Sequence, residues 1–127
     1  MISNLAAAVD RLGAAFAARD VDAALECFIP DADITYIGSE AGERAEGRAA
    51  VAALFTALFA RPEAYSWRAR EVSVHRCDRS MFLLAEADGV AESDAGQPET
   101  FGYRVSGLLE LVDGVWRWRV CQGSEPT

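Results

Sequence analysis

The chain has little of what usually advertises a mechanism. Its one histidine is His75, and its three cysteines, Cys27, Cys77 and Cys121, sit at wide, irregular spacing. One histidine with dispersed thiols does not make a zinc site, and an odd, unclustered cysteine count is no disulfide framework. Each cysteine lies within or beside an apolar segment, so buried free thiols are expected. Basic charge is also scarce: 12 Lys and Arg stand against 20 Asp and Glu, a formal net charge of −8. A nucleic-acid surface needs a basic stripe and an anionic membrane attracts cations, so both are disfavoured as partners. No charge-free run approaches a membrane-spanning length. Met1-Ile2-Ser3-Asn4 also lacks the basic region and apolar run of a secretion signal. The expected location is cytoplasmic. No glycine-rich phosphate loop follows a strand and no serine elbow occurs, so no cofactor is expected.

What is present suits one compact unit. With 127 residues, 51% hydrophobic and 25% charged, the chain reads as a single domain over 1–127. Ile2, Leu5, Val9, Leu12 and Phe16 recur at helical spacing, with Ser3 or Asn4 as N-cap, and predict a helix to about Arg19. Asp20 caps a short second helix carrying Val21, Ala24, Leu25 and Phe28, ended by Pro30 and Asp31. Ile34 to Ile37 is a short strand closed by Gly38, and Ser39 to Gly47 reads as a polar loop. Val51, Leu54, Phe55, Leu58 and Phe59 form the stripe of a third helix, stopped by Pro62.

The rest reads as strand: Tyr65 to Cys77, Met81 to Glu92, Glu99 to Val112 and Val115 to Gln122. The turns are Asp78-Arg79, Asp94-Ala95-Gly96-Gln97 and Asp113-Gly114, the last a strong hairpin signal. Three helices followed by long antiparallel strands predict an α+β fold, a bent sheet wrapped round the helices.

The last strand alternates strictly. Trp116, Trp118, Val120 and Gln122 share one face, and Arg117, Arg119 and Cys121 the other. An apolar row ending in one amide suits a pocket wall, which makes Trp116, Trp118 and Gln122 candidate ligand contacts. Met81, Leu83, Ala85, Ala87, Gly89 and Ala91 shrink along one face of their strand and leave room at its end, for a cavity or for close helix packing. Phe101 and Tyr103 lie on one face of the next strand, and Arg104 and Ser106 on the other. Arg104 would reach a ligand carboxylate if its face looked inward; otherwise it is a solvated arginine. Glu71 and His75 are an acid/base pair if their face looks inward. If Val72 and Val74 look inward, both are on the surface, which is the arrangement the valines favour. A bulge in that strand would switch faces and return Trp67 to the pocket. Tyr36 is a candidate donor to a ligand carbonyl or a core tyrosine. Glu40, Glu43 and Glu46 are candidate bases or a solvated loop.

Three segments carry a family resemblance: Ala18-Arg19-Asp20-Val21-Asp22 to Phe28; Tyr36-Ile37-Gly38-Ser39 through Glu46-Gly47-Arg48 to Val51; and Asp113-Gly114-Val115-Trp116 to Pro126. In this order and spacing the chain resembles the NTF2-like (cystatin-like) superfamily, and within it the SnoaL-like proteins related to ketosteroid isomerase. The resemblance implies a cone: three N-terminal helices on a strongly curved antiparallel or mixed sheet, an internal pocket, and a homodimer through the sheet. It implies a small apolar or aromatic ligand and, if the protein is an enzyme, cofactor-free proton-transfer, cyclase or hydratase chemistry. The alternative is a non-catalytic assembly or carrier domain, because this fold hosts many activities. The isomerase's oxyanion tyrosine falls on Leu12 and its carboxylate base on Gly38, so that mechanism is disfavoured. The histidine frequent near the end of relatives falls on Gln122, which orients but does not shuttle protons. The binding candidates are therefore Tyr36, Trp67, Tyr103, Arg104, Trp116, Trp118 and Gln122, and the weaker catalytic ones are Glu71 and His75.

Overall fold

The computed structural model describes residues 2–94 and 96–126. Met1, Ala95 of the expected turn and Thr127 lie outside the described residues, as do the side chains of Ile2 and Ser3, and with them the proposed Ser3 cap. The order is α1 (Ile2–Ala18), α2 (Val21–Glu26), β1 (Thr35–Ile37), β2 (Arg44–Glu46), α3 (Arg48–Phe59), β3 (Ala64–Cys77), β4 (Ser80–Glu92), β5 (Glu99–Val112) and β6 (Val115–Ser124). Six strands form one sheet in the order β2-β1-β6-β5-β4-β3. All neighbours are antiparallel except β1 and β6. This is the expected α+β architecture, with one difference: the polar loop at 39–47 contains β2, which pairs with β1. No described helix is long and apolar enough to cross a membrane.

Local chemistry sets the boundaries. The Asp20 carboxylate accepts from the Ala23 N–H and caps α2 as expected. Asp113 and Gly114 both take positive φ, 51° and 79°, the geometry of a type I′ hairpin turn between β5 and β6. Leu5, Val9, Leu12 and Phe16 of α1 are buried against the inner face of the sheet, with Val51 and Phe55 of α3 closing the core. α1 lies unusually close to β3, because a Cβ on Gly13 would overlap the Trp67 carbonyl. The Asp10 carboxylate of α1 then accepts from the Ala69 N–H at 2.8 Å.

Two bulges govern which side chains face the core. In β3 the pairing with β4 shifts between Ala69 and Glu71. Trp67 lies inward before the shift, Arg70 and Glu71 are both exposed, and Val72 and Val74 turn inward after it. In β6 the shift leaves Arg119 unpaired between Trp118 and Val120. One extra residue moves every later side chain to the opposite face. Trp118 and Cys121 are therefore both buried, and Gln122 is exposed. The strict alternation expected for β6 fails at this point.

The β6 bulge is anchored on both sides. The Trp118 N–H donates to the Cys27 carbonyl and the Ile29 N–H to the Trp118 carbonyl, tying the end of α2 to the strand. Arg119 donates from Nε and Nη2 to both Glu110 carboxylate oxygens at 3.0 Å, and from Nη1 to Asp31 at 2.8 Å. The Arg119 guanidinium holds the Asp31 carboxyl below the ordinary carboxylate range.

Candidate functional site

The sheet and helices leave a cavity of about 440 Å³ at one end of the molecule. Its wall runs from the end of α1 across β1, β3 and the open end of β4 and β5 to the end of α3. The inner wall is aromatic. Phe16 is the hub: its ring centroid lies 4.7 Å from Trp67, 4.9 Å from Phe59 and 5.9 Å from Tyr36. Tyr103 lies 5.1 Å from Trp67 and Phe101 5.8 Å from Tyr103.

Each ring is placed by something specific. The Trp67 indole N–H donates to the Val9 carbonyl at 3.1 Å, which fixes the ring against α1. Tyr103 lies across β6, where a Cβ on Gly123 would overlap its hydroxyl. Phe101 lies on Gly89 of β4 in the same way, so the space predicted from the shrinking β4 row is partly filled by Phe101. Tyr36 sits in β1 opposite Cys121.

Burial pushes both phenols up in pKa, Tyr36 well above the ordinary value, with the nearby Tyr103 adding to the rise at Tyr36. Both therefore stay protonated near neutral pH, as donors.

The polar wall comes from the β1–β2 turn. Gly42 takes φ +86°, which lets the chain fold back so that the Glu43 N–H donates to the Glu40 carbonyl and the Gly38 N–H to the Glu43 carbonyl. The Glu43 side chain is thereby laid over Gly38, where a Cβ would overlap its Oε1. Its side chain is only 11% exposed, and desolvation raises its pKa above the ordinary carboxylate value. Arg61, just past the end of α3, bridges Glu40 at 3.3 Å and Glu43 at 3.4 Å.

The cavity therefore joins Tyr36, Trp67 and Tyr103 of the binding candidates with Glu40 and Glu43 of the loop carboxylates, and leaves out the other candidates. Trp118 is fully buried in the core, its indole N–H donating to the Ala8 carbonyl at 3.3 Å. Trp116 packs half-buried beside that core, away from the cavity. Gln122 faces outward because of the β6 bulge. Arg104 is on the outer face and holds Glu86 with contacts of 2.9 and 3.2 Å. Glu71 and His75 are exposed on the face opposite Val72 and Val74, so they do not form an acid/base pair in the cavity. Cys27 and Cys121 are buried as expected, and burial pushes the Cys27 thiol up to about 11. Cys77, at the last position of β3, is exposed instead. Phe16, Phe59 and Arg61 also line the cavity, although nothing local marks them as site residues. Phe59 was visible in the α3 stripe, but the meeting of Arg61 with Glu43 depends on the fold. Among the described residues no group of three or more His, Cys, Asp or Glu is placed to hold a metal.

The sequence profile of the SnoaL-like domain matches residues 5–127, nearly the whole chain. The chain belongs to the SnoaL-like family. The fold of this SnoaL-like protein is shared with solved structures of diverse description. A protein of Streptomyces avermitilis, provisionally described as a dehydratase of the NTF2-like family, superposes with a TM-score of 0.80 at 10% identity, over 98% of this chain and 95% of its own. One from Novosphingobium aromaticivorans, provisionally described as an aromatic ring hydroxylase, gives 0.80 at 19%, over 100% and 92%. One from Thiobacillus denitrificans, provisionally described as a calcium/calmodulin-dependent protein kinase type II association domain, gives 0.71 at 23%, over 95% and 94%. A search of curated proteins finds no match. At these identities the superpositions establish the NTF2-like fold and leave function to the site.

Proposed function

We propose that the cavity binds a small, largely apolar aromatic molecule and that Glu43 moves a proton on it without a cofactor. The observation that carries this reading is the Glu43 carboxylate, partly desolvated and held over Gly38 at the edge of an aromatic cavity that also holds two protonated phenols. A carboxylate with a raised pKa is a better base than an ordinary one and a usable acid nearer neutrality. The step that fits is enolisation. Glu43 takes a proton from the carbon next to a ligand carbonyl. The C–H electron pair moves into the C–C bond, and the carbonyl pair moves onto oxygen. Tyr36 or Tyr103 donates a hydrogen bond to that oxygen as its charge grows. Return of the proton at another carbon gives an isomerisation; loss of a β-hydroxyl with that proton gives a dehydration. The dehydratase description of the Streptomyces avermitilis structure is in keeping with this class.

The test is deuterium exchange into 2-tetralone, an aromatic ketone with acidic C–H bonds, followed by NMR. The native protein should accelerate exchange over buffer, and Glu43→Gln should lose about 100-fold or more of that acceleration while still binding the ketone. Binding without acceleration would leave a carrier. No binding would remove the ligand reading altogether.

The outer face of the sheet supports a second role, self-association. Phe82 and Leu84 of β4, Leu108 of β5 and Val120 of β6 register as neighbours there, with Leu84 46% exposed. A second copy placed on this strip would bury it, compatibly with a ligand inside the cone.

A further inference from the structure

We infer that the cavity selects an organic cation, a molecule whose positive nitrogen is joined to an aromatic or apolar body. The inference rests on the reading of the cavity as a ligand site and adds the charge of the ligand.

The first support is the shape of the outer aromatic wall. Tyr65 and Phe101 meet at 76° with centroids 6.3 Å apart, and Phe101 and Tyr103 at 89° and 5.8 Å. Trp67 continues the wall at 35° to Tyr103. Rings set nearly perpendicular in succession meet edge to face, so each such contact covers at most one face of one ring, and all four rings line the cavity. A ring face carries the negative end of the aromatic quadrupole and attracts a cation within about 6 Å. Gly89 contributes directly, because Phe101 sits where a Cβ on Gly89 would be, against the bare backbone of β4.

The second support is charge. Six carboxylates line the cavity, Glu40, Glu43, Glu63, Glu92, Glu99 and Glu125, against two cations, Arg19 and Arg61. Of the two cations only Arg61 is ion-paired among the described residues. Arg61 is held by Glu40 and Glu43, and Arg19 donates to the Pro62 carbonyl at 2.7 Å. Among the described residues, Glu63, Glu92, Glu99 and Glu125 take part in no ion pair. The outer sheet face is different: there Glu86 pairs with Arg104 and Asp88 with Arg70. Unpaired acid is thus gathered where a ligand would enter. Its field reaches the rings, since Glu63 acts on Tyr65 and Glu125 on Tyr103.

An anionic ligand would meet, among the described residues, four unpaired carboxylates against a single unpaired arginine, Arg19. A neutral aromatic would gain from the walls alone. A cation gains from walls and rim together. The rim carboxylates are solvated, so their share should fade with salt, whereas the ring contribution should persist.

Three matched naphthalene probes test this by equilibrium dialysis: 2-naphthylmethyl-trimethylammonium, its neutral isostere 2-neopentylnaphthalene, and 2-naphthylacetate. The ammonium should bind about tenfold tighter than the neutral isostere, with the acetate weakest. Phe101→Leu should cut the ammonium preference several-fold. Glu92→Gln with Glu99→Gln should cut it at low salt and leave the neutral probe unchanged. If the neutral probe binds the cavity as tightly as the ammonium, or the acetate binds best, the cation inference fails and the ligand site stands. If the ammonium binds equally well to Phe101→Leu and Trp67→Phe, it is held by surface charge and the inference fails. If no probe binds, the inference and the ligand site fail together.

Discussion

Glu43 shows how a single side chain acquires chemistry from its surroundings. In the sequence it is one of three glutamates in a polar segment. In the fold it is pressed against Gly38 with an 11% exposed side chain and a raised pKa. The consequence for stability has a definite sign. A carboxyl whose folded pKa exceeds its unfolded one binds more protons in the native state, so its contribution to stability falls as pH rises through that window. Glu43→Gln removes the penalty. The variant should gain thermal stability relative to the native protein as pH is raised from 4 to 7, read by the difference in Tm across that range. Loss of the exposed Arg61 pair offsets little, because surface ion pairs are weak. A native protein whose advantage over Glu43→Gln grows with pH would show that the Arg61 contact dominates.

At the scale of elements, α1 and β3 behave as one unit. Gly13 permits their close approach, the Trp67 indole bonds Val9, and Asp10 holds the Ala69 N–H next to the bulge. Gly13→Ala places a methyl against the Trp67 carbonyl, so helix and strand must separate. Overpacking of this kind costs about 1–3 kcal/mol, more than the gain from improved helix propensity. Denaturant unfolding should show that loss, and the displaced Trp67 should weaken ligand binding in the same variant. Gly13→Ala with unchanged stability would mean that the α1–β3 contact is slack.

At the scale of the whole molecule, the sheet separates two surfaces. The concave side takes the helices and the cavity, and the convex side carries the Phe82, Leu84, Leu108 and Val120 strip beside the Glu86–Arg104 pair. A charge in the centre of a buried strip is costly, whereas the same charge in water is not. Leu84→Arg should therefore shift sedimentation toward a single-chain species while leaving ring packing and cavity binding intact. A native protein that sediments as one chain at high concentration would remove the self-association role.

Much of this protein was determined locally. Helices, strands and their order follow from apolar periods of 3.6 and 2, and turns from residues such as Asp113-Gly114, so the α+β class was legible in the sequence, while the family was legible in the resemblance of three segments. Tyr36 and Tyr103 were legible too, as aromatics on segments whose pattern held, whereas Trp67 faces inward beside Val72 and Val74 only because β3 carries a bulge. What only the tertiary structure decided lies downstream of register and of contacts distant in sequence. The Arg119 bulge has no mark in the pattern of β6, since its cause is the pairing with β5 and the clamp on Asp31 and Glu110. That one residue removed Gln122 from the cavity. The partnership of Glu43 with Gly38, Arg61 and the phenols likewise joins β1, the turn after it, β5 and the end of α3. A local reading names such residues but does not bring them together, because side-chain direction has a period while the meeting of strands and helices does not.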